Sequence, residues 1–220
     1  MISVVTPQVV RPLYPVSGTT NPPSDDGSSP RITLLRPFVY FGQTYNYIYV
    51  NQNGHLTFNA AWNSYTPQRF PMHGPRDFIA PFWTDLDNRG NGHVYYNQYT
   101  TGSVLQQATQ DINTHFPGLN FNANWVFVAT WYEVAYYPNS GTVSQHSVTD
   151  LLQNTATGPN SNFRLGSNVN VPGRWAFRTD HGSRGCTFNG KFRYKGYRLL
   201  LSASCNITAV PLSEVYLYQS

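Results

Sequence analysis

The sequence is poor in charge. Only 11% of its 220 residues are Asp, Glu, Lys or Arg, and both lysines, Lys191 and Lys195, fall near the C-terminal end. Cysteine is almost absent: Cys186 and Cys205 are the only two, so no disulfide framework defines the fold and burial must hold the core. They are candidates to pair with each other, with two free thiols as the alternative. No apolar run is long enough to cross a bilayer, which argues against membrane insertion. The first 18 residues lack the basic start and unbroken apolar stretch of a secretory signal, because Pro7, Gln8, Arg11, Pro12 and Pro15 interrupt them. The expectation is a chain incomplete at its start or exported by another route.

Catalytic signatures are missing as well. There is no GxSxG elbow, no GxGxxG or GxxxxGK phosphate loop, and no pair of histidines at helical metal-site spacing among His55, His73, His93, His115, His146 and His181, which read as surface or turn residues. Asp85 with Glu133 or Asp180 would be needed for a carboxylate-pair hydrolase, and nothing in the sequence brings them together. A non-enzymatic role is expected.

Aromatic residues, by contrast, make up 15% of the chain, with 17 Gly and 16 Pro, a composition suited to a β-rich module of one domain. Residues 1–30 include SGTTNPPSDDGSSP, which has little apolar surface to offset ordering and reads as flexible. From Arg36 the strand pattern begins, and Asn53-Gly54 supplies the positive φ angles of a hairpin turn before Leu56 and Phe58. Phe78 to Thr84 reads as a buried strand that Pro81 pushes toward an edge or bulge, and Asn88 to Gly92 turns the chain into a second strand, His93 to Tyr99. Ser103 or Thr101 can cap a helix with Val104, Ala108, Ile112 and Phe116 on one stripe, stopped by Pro117-Gly118. Asn124 to Tyr137 reads as a long central strand, with Trp125, Phe127, Ala129, Trp131 and Ala135 on one face and Val126, Val128, Val134 and Tyr136 on the other.

Taken together, IYVNQNGHLTF (48–58), the continuous segment from Pro75 to Val134, and NVPGRWAFRTD (170–180) resemble the NIDO domain of extracellular matrix proteins, in wording nearest to its alpha-tectorin-like members. The elements read above make the expected fold an antiparallel β-sandwich with one amphipathic helix, a flexible N-terminus and an irregular C-terminal tail. The resemblance implies secretion, and a role in cell-matrix adhesion or matrix assembly through contacts with other matrix proteins. Residues 31–183 would form the domain and 184–220 the tail. The polar stretch within 138–167 stands where the family continues through apolar strands, so central strands of the domain are expected to be missing.

Three site expectations complete the reading. Asp85 and Asp87, two acidic residues beside a Gly-rich turn, are candidates to hold calcium, with turn formation as the alternative. In the tail, Lys191, Arg193, Lys195 and Arg198 alternate with aromatic residues, a pattern suited to sulfated glycans, acidic membrane surfaces or single-stranded nucleic acid, or simply to a solvated ending. Arg198 departs from the RNA-recognition signature, and no nucleic-acid partner is expected. Asn206 opens the one N-x-S/T sequon and would carry a glycan in a secreted product.

Overall fold

The computed structural model describes residues 14–68, 76–81, 83–142, 179, 193–194, 197–198, 206–207 and 214–219. A four-stranded antiparallel sheet carries the order β1 (Thr19–Thr20), β7 (His93–Tyr99), β8 (Trp125–Tyr132) and β13 (Glu214–Gln219). A five-stranded sheet runs β12 (Asn206–Ile207), β5 (Phe78–Ile79), β4 (His55–Thr57), β3 (Gln43–Asn51) and β2 (Ile32–Tyr40), antiparallel except for the two-residue β12–β5 pair. Two small ladders join β6 (Leu86–Asp87) to β9 (Ala135–Tyr136), and β10 (Arg193–Tyr194) to β11 (Tyr197–Arg198).

The two larger sheets bury one core between them. Alternation along β2 and β3 turns Ile32, Leu34, Phe38, Tyr40, Ile48 and Val50 inward, and Trp125, Phe127, Ala129 and Trp131 of β8 meet them from the other sheet. Phe38 reaches Trp125 across the gap with ring centroids 6.1 Å apart, and Trp131 donates its indole N–H to the backbone oxygens of Asn51 (3.1 Å) and Gln52 (3.0 Å). On the opposite face of β8, Val126 and Val128 pack against Val104 and Ala108 of the helix α1 (Ser103–His115). The amphipathic helix therefore covers one sheet of an antiparallel sandwich, as its apolar spacing implies.

Local departures have physical causes. Glu133 adopts φ 52°, which ends β8 and reverses the alternation, so Val134 joins Trp131 in the large core instead of taking the opposite face. The segment Leu86–Asp87 pairs with Ala135–Tyr136, while His93–Tyr99 pairs with β8, so the Asn88–Gly92 turn changes sheets and does not close a hairpin. The helix N-cap is Gly102, with no side-chain cap from Thr101 or Ser103. Only Gly54 of the Asn53-Gly54 pair has positive φ (80°), because the loop between paired Asn51 and His55 is three residues long and needs one left-handed position.

The N-terminal expectation is corrected for residues 14–30. Tyr14 is buried against α1, Thr19–Thr20 pair with Tyr95–Tyr96, and Asn21 and Ser29 are buried. Hydrogen bonds, not apolar area, hold this strap: Ser29 N donates to Val50 O (2.8 Å), Val50 N to Ser29 Oγ (2.9 Å), Gln52 N to Gly27 O (3.0 Å) and Asn21 Nδ2 to Val50 O (2.8 Å).

Candidate functional site

The strap crosses over the β3–β4 turn, and the whole stretch from Asn51 to Phe58 is buried beneath it and its neighbours. A polar turn survives there because the side-chain amides of Asn51, Gln52 and Asn53 all find partners. Asn53 is the pivot, its Nδ2 donating to Asp26 Oδ1 (2.8 Å) and its Oδ1 accepting from Leu86 N (2.8 Å). Asn88 Oδ1 accepts from Ser24 N (2.7 Å), and Gln52 Nε2 donates to Pro22 O (2.9 Å).

These links bring three acidic residues together. Asp25 and Asp26 from the strap and Asp85 from the segment before β6 place one carboxylate oxygen each within 4.8 Å of one another. Burial, then the neighbouring carboxylates Asp25, Asp26 and Asp87, raise the Asp85 carboxyl above its ordinary value. The Asp25 carboxyl is also raised, by burial first, although Arg89 opposes this. An all-oxygen set of this kind suits a hard cation such as calcium.

Asp87 has a different fate from the one expected beside Asp85. Arg89 donates its backbone N and Nε to Asp87 Oδ1 (both 2.9 Å) and Nη2 to Oδ2 (2.7 Å), and these hydrogen bonds hold the carboxyl below its ordinary range. Arg89 Nη2 also reaches Asp25 Oδ2 (3.0 Å). Asp87 thus closes the turn, while Asp85 gathers with Asp25 and Asp26, which sequence reasoning missed because their segment read as flexible.

A second buried polar group lies at the end of the same hairpin. His55 is fully buried, against the expectation of a surface or turn residue, and packs its ring on Trp62 (4.9 Å between centroids) and Trp83 (5.7 Å). Arg76 covers the other aromatic edge, 4.9 Å above the Trp62 ring. Asn51 Nδ2 donates to His55 Nδ1 (2.9 Å), which leaves the proton on Nε2 to donate to Ser64 O (3.1 Å). Burial disfavours the charged ring, Arg76 adds to this against the opposing hydrogen bond to Ser64, and the imidazole pKa falls to about 4.

Among the described residues, the other expected site residues do not join this acidic cluster. Glu133 is exposed on the far side of a backbone reversal, and Asp180 lies outside the described residues. Arg193 and Arg198 are direct register partners across β10 and β11, and Asn206 stands on the edge strand β12. Cys186, Cys205, Lys191 and Lys195 lie outside the described residues. Among the described residues, no helix is long and apolar enough to cross a membrane.

Residues 46–157, from the tyrosine-rich strand β3 through the buried turn, α1 and β8, match the nidogen-like domain. The chain belongs to the NIDO family. Its relatives include alpha-tectorin of Mus musculus, 34% identical over 89% of this chain and 12% of the relative. Nidogen-2 of Mus musculus is 32% identical over 53% of this chain and 8% of the relative, and dendrite extension defective protein 1 of Caenorhabditis elegans is 33% identical over 46% and 9%. The NIDO chain therefore spans a small fraction of the length of these proteins. No solved structure matches it at a significant level. The alpha-tectorin alignment is 254 positions long, whereas 89% of 220 residues is about 196, so about 58 positions within the matched span have no counterpart here. That shortfall is large enough for several strands with their turns. The NIDO domain is a module of extracellular matrix proteins, and this chain is such a module by family.

Proposed function

We propose that this NIDO domain is a non-enzymatic matrix module that contributes to cell-matrix adhesion or matrix assembly by protein-protein contact outside the cell. The observation that carries the reading is the family match over residues 46–157. The surface supports it: Tyr47, Tyr65, Tyr132 and Tyr137 are each at least 39% exposed, and tyrosine offers apolar area with a polar tip at low entropic cost. The test coats the full chain on a surface and measures attachment of matrix-secreting cells, together with binding to a panel of purified matrix glycoproteins. Attachment that drops several-fold in Tyr132→Ser/Tyr137→Ser, with an unchanged melting temperature, is the expected result. No attachment and no binding across the panel would defeat the reading.

A second reading, binding of sulfated glycans, is favoured by one specific observation. The register sets Arg193 opposite Arg198, so two arginine positions are direct partners across a short hairpin. Salt-sensitive retention on heparin that is lost in Arg193→Gln/Arg198→Gln is expected on this reading. Retention that survives the double substitution would remove it.

A further inference from the structure

Among the described residues, the outermost strands of the sheets differ in how they are protected. β1 and β12, and each strand of the two small ladders, are two residues long, too short to template another chain. The edge strand β2 is longer, but it carries Arg36 and Pro37 and its pairing shifts register between Thr33 and Phe38. Charge, proline and a bulge each discourage edge-to-edge pairing. Strand β13 has neither proline nor bulge. Its six residues, EVYLYQ, pair with β8 in unbroken register from Glu214↔Thr130 to Gln219↔Trp125. It contains no proline, glycine or cation, and a single charge at Glu214. Among the described residues, no strand pairs with its outer side.

We propose that this outer edge docks a second copy of the same chain, the two Glu214–Gln219 strands running antiparallel about a twofold axis so that two four-stranded sheets become one. The sequence suits this arrangement. Twofold pairing sets Glu214 against Gln219, Val215 against Tyr218 and Tyr216 against Leu217, so β-branched, aromatic and aliphatic residues meet across the axis. Parallel pairing in register would instead stack Glu214 on Glu214. An antiparallel edge contact is isologous and uses up both edges, so the assembly stops at two. The anchor is firm, because β13 lies along β8, whose residues from Trp125 to Trp131 are all buried.

The test uses the full chain with Cys186→Ser/Cys205→Ser, so that introduced thiols are the only ones. Light scattering should give about twice the monomer mass of 24.8 kDa. A mixture of Val215→Cys and Tyr218→Cys chains should form a disulfide-linked dimer under mild oxidation, whereas neither chain alone should. Of Tyr216→Pro and Leu217→Pro, one removes an N–H directed outward, and that variant should be monomeric, with a cooperative melt that no longer depends on concentration. A monomer at all concentrations, an open-ended polymer, a dimer without the mixed cross-link, or cross-linking of Val215→Cys to itself would each overturn the proposal.

Discussion

A histidine held neutral in an aromatic pocket makes stability depend on pH. The folded pKa of His55, about 4, lies below its ordinary 6.5, so between those values the unfolded chain binds a proton that the folded chain does not. Stability is therefore full above pH 6.5 and falls as pH drops toward 4, by roughly 3 kcal/mol for this one group. Urea melts across that window check the slope, and nitrogen-15 shifts at pH 5 should still show His55 neutral. The acidic cluster acts in the opposite sense. Raised carboxyl pKa values at Asp25 and Asp85 mean that their contribution is present at low pH and lost as pH rises through the folded values. Asp85→Asn should accordingly raise the melting temperature at pH 7 and leave it nearly unchanged below pH 3. If calcium occupies the cluster, added calcium raises the melting temperature of the natural chain but not of Asp85→Asn, and chelator reverses the gain.

Among the elements, the approach of the Asn88–Gly92 turn to the end of β8 is the tightest. Gly92 has φ 78°, and a Cβ there would overlap backbone atoms of Glu133 and Val134. Gly92→Ala should cost about 2 kcal/mol or more, since neither strain nor overlap can relax without moving the reversal at Glu133. Asn53→Ala should cost about 2 to 3 kcal/mol, because it leaves Leu86 N without its acceptor in a buried place. Chemical denaturation of each variant against the natural chain measures both. The alternation that places Trp125, Phe127, Ala129 and Trp131 on one face of β8 was legible in the sequence, as was the helix stripe, because each rests on a local period. The flip at Glu133 was not, since nothing local marks a left-handed glutamate. Nor was the pairing of Leu86–Asp87 with Ala135–Tyr136, whose partners are 48 and 50 residues apart in sequence. The strap escaped because composition records apolar area, whereas Asn21, Gly27 and Ser29 are held by specific amide partners. Asp25 and Asp26 were lost with it, and so was most of the candidate site.

For the molecule as a whole, the strap is the cover of the buried turn in the sandwich. A chain begun at residue 31 should melt well below one begun at residue 14, because it leaves the Gln52 N–H without Gly27 O and Asn53 Nδ2 without Asp26 Oδ1. Circular dichroism of the two chains makes the comparison, and equal melting temperatures would show the strap to be dispensable. There is also a consequence for how the protein is made. The strap leaves the ribosome before any of its partners exist: Val50 and Gln52 follow soon after, but Asn88 and Val94 emerge much later. A segment that must wait for its docking place is safest when it is poor in apolar residues, giving chaperones and neighbouring nascent chains little to hold. The Gly, Ser, Pro and Asp of residues 17–30 then suit the interval before folding as well as the folded state.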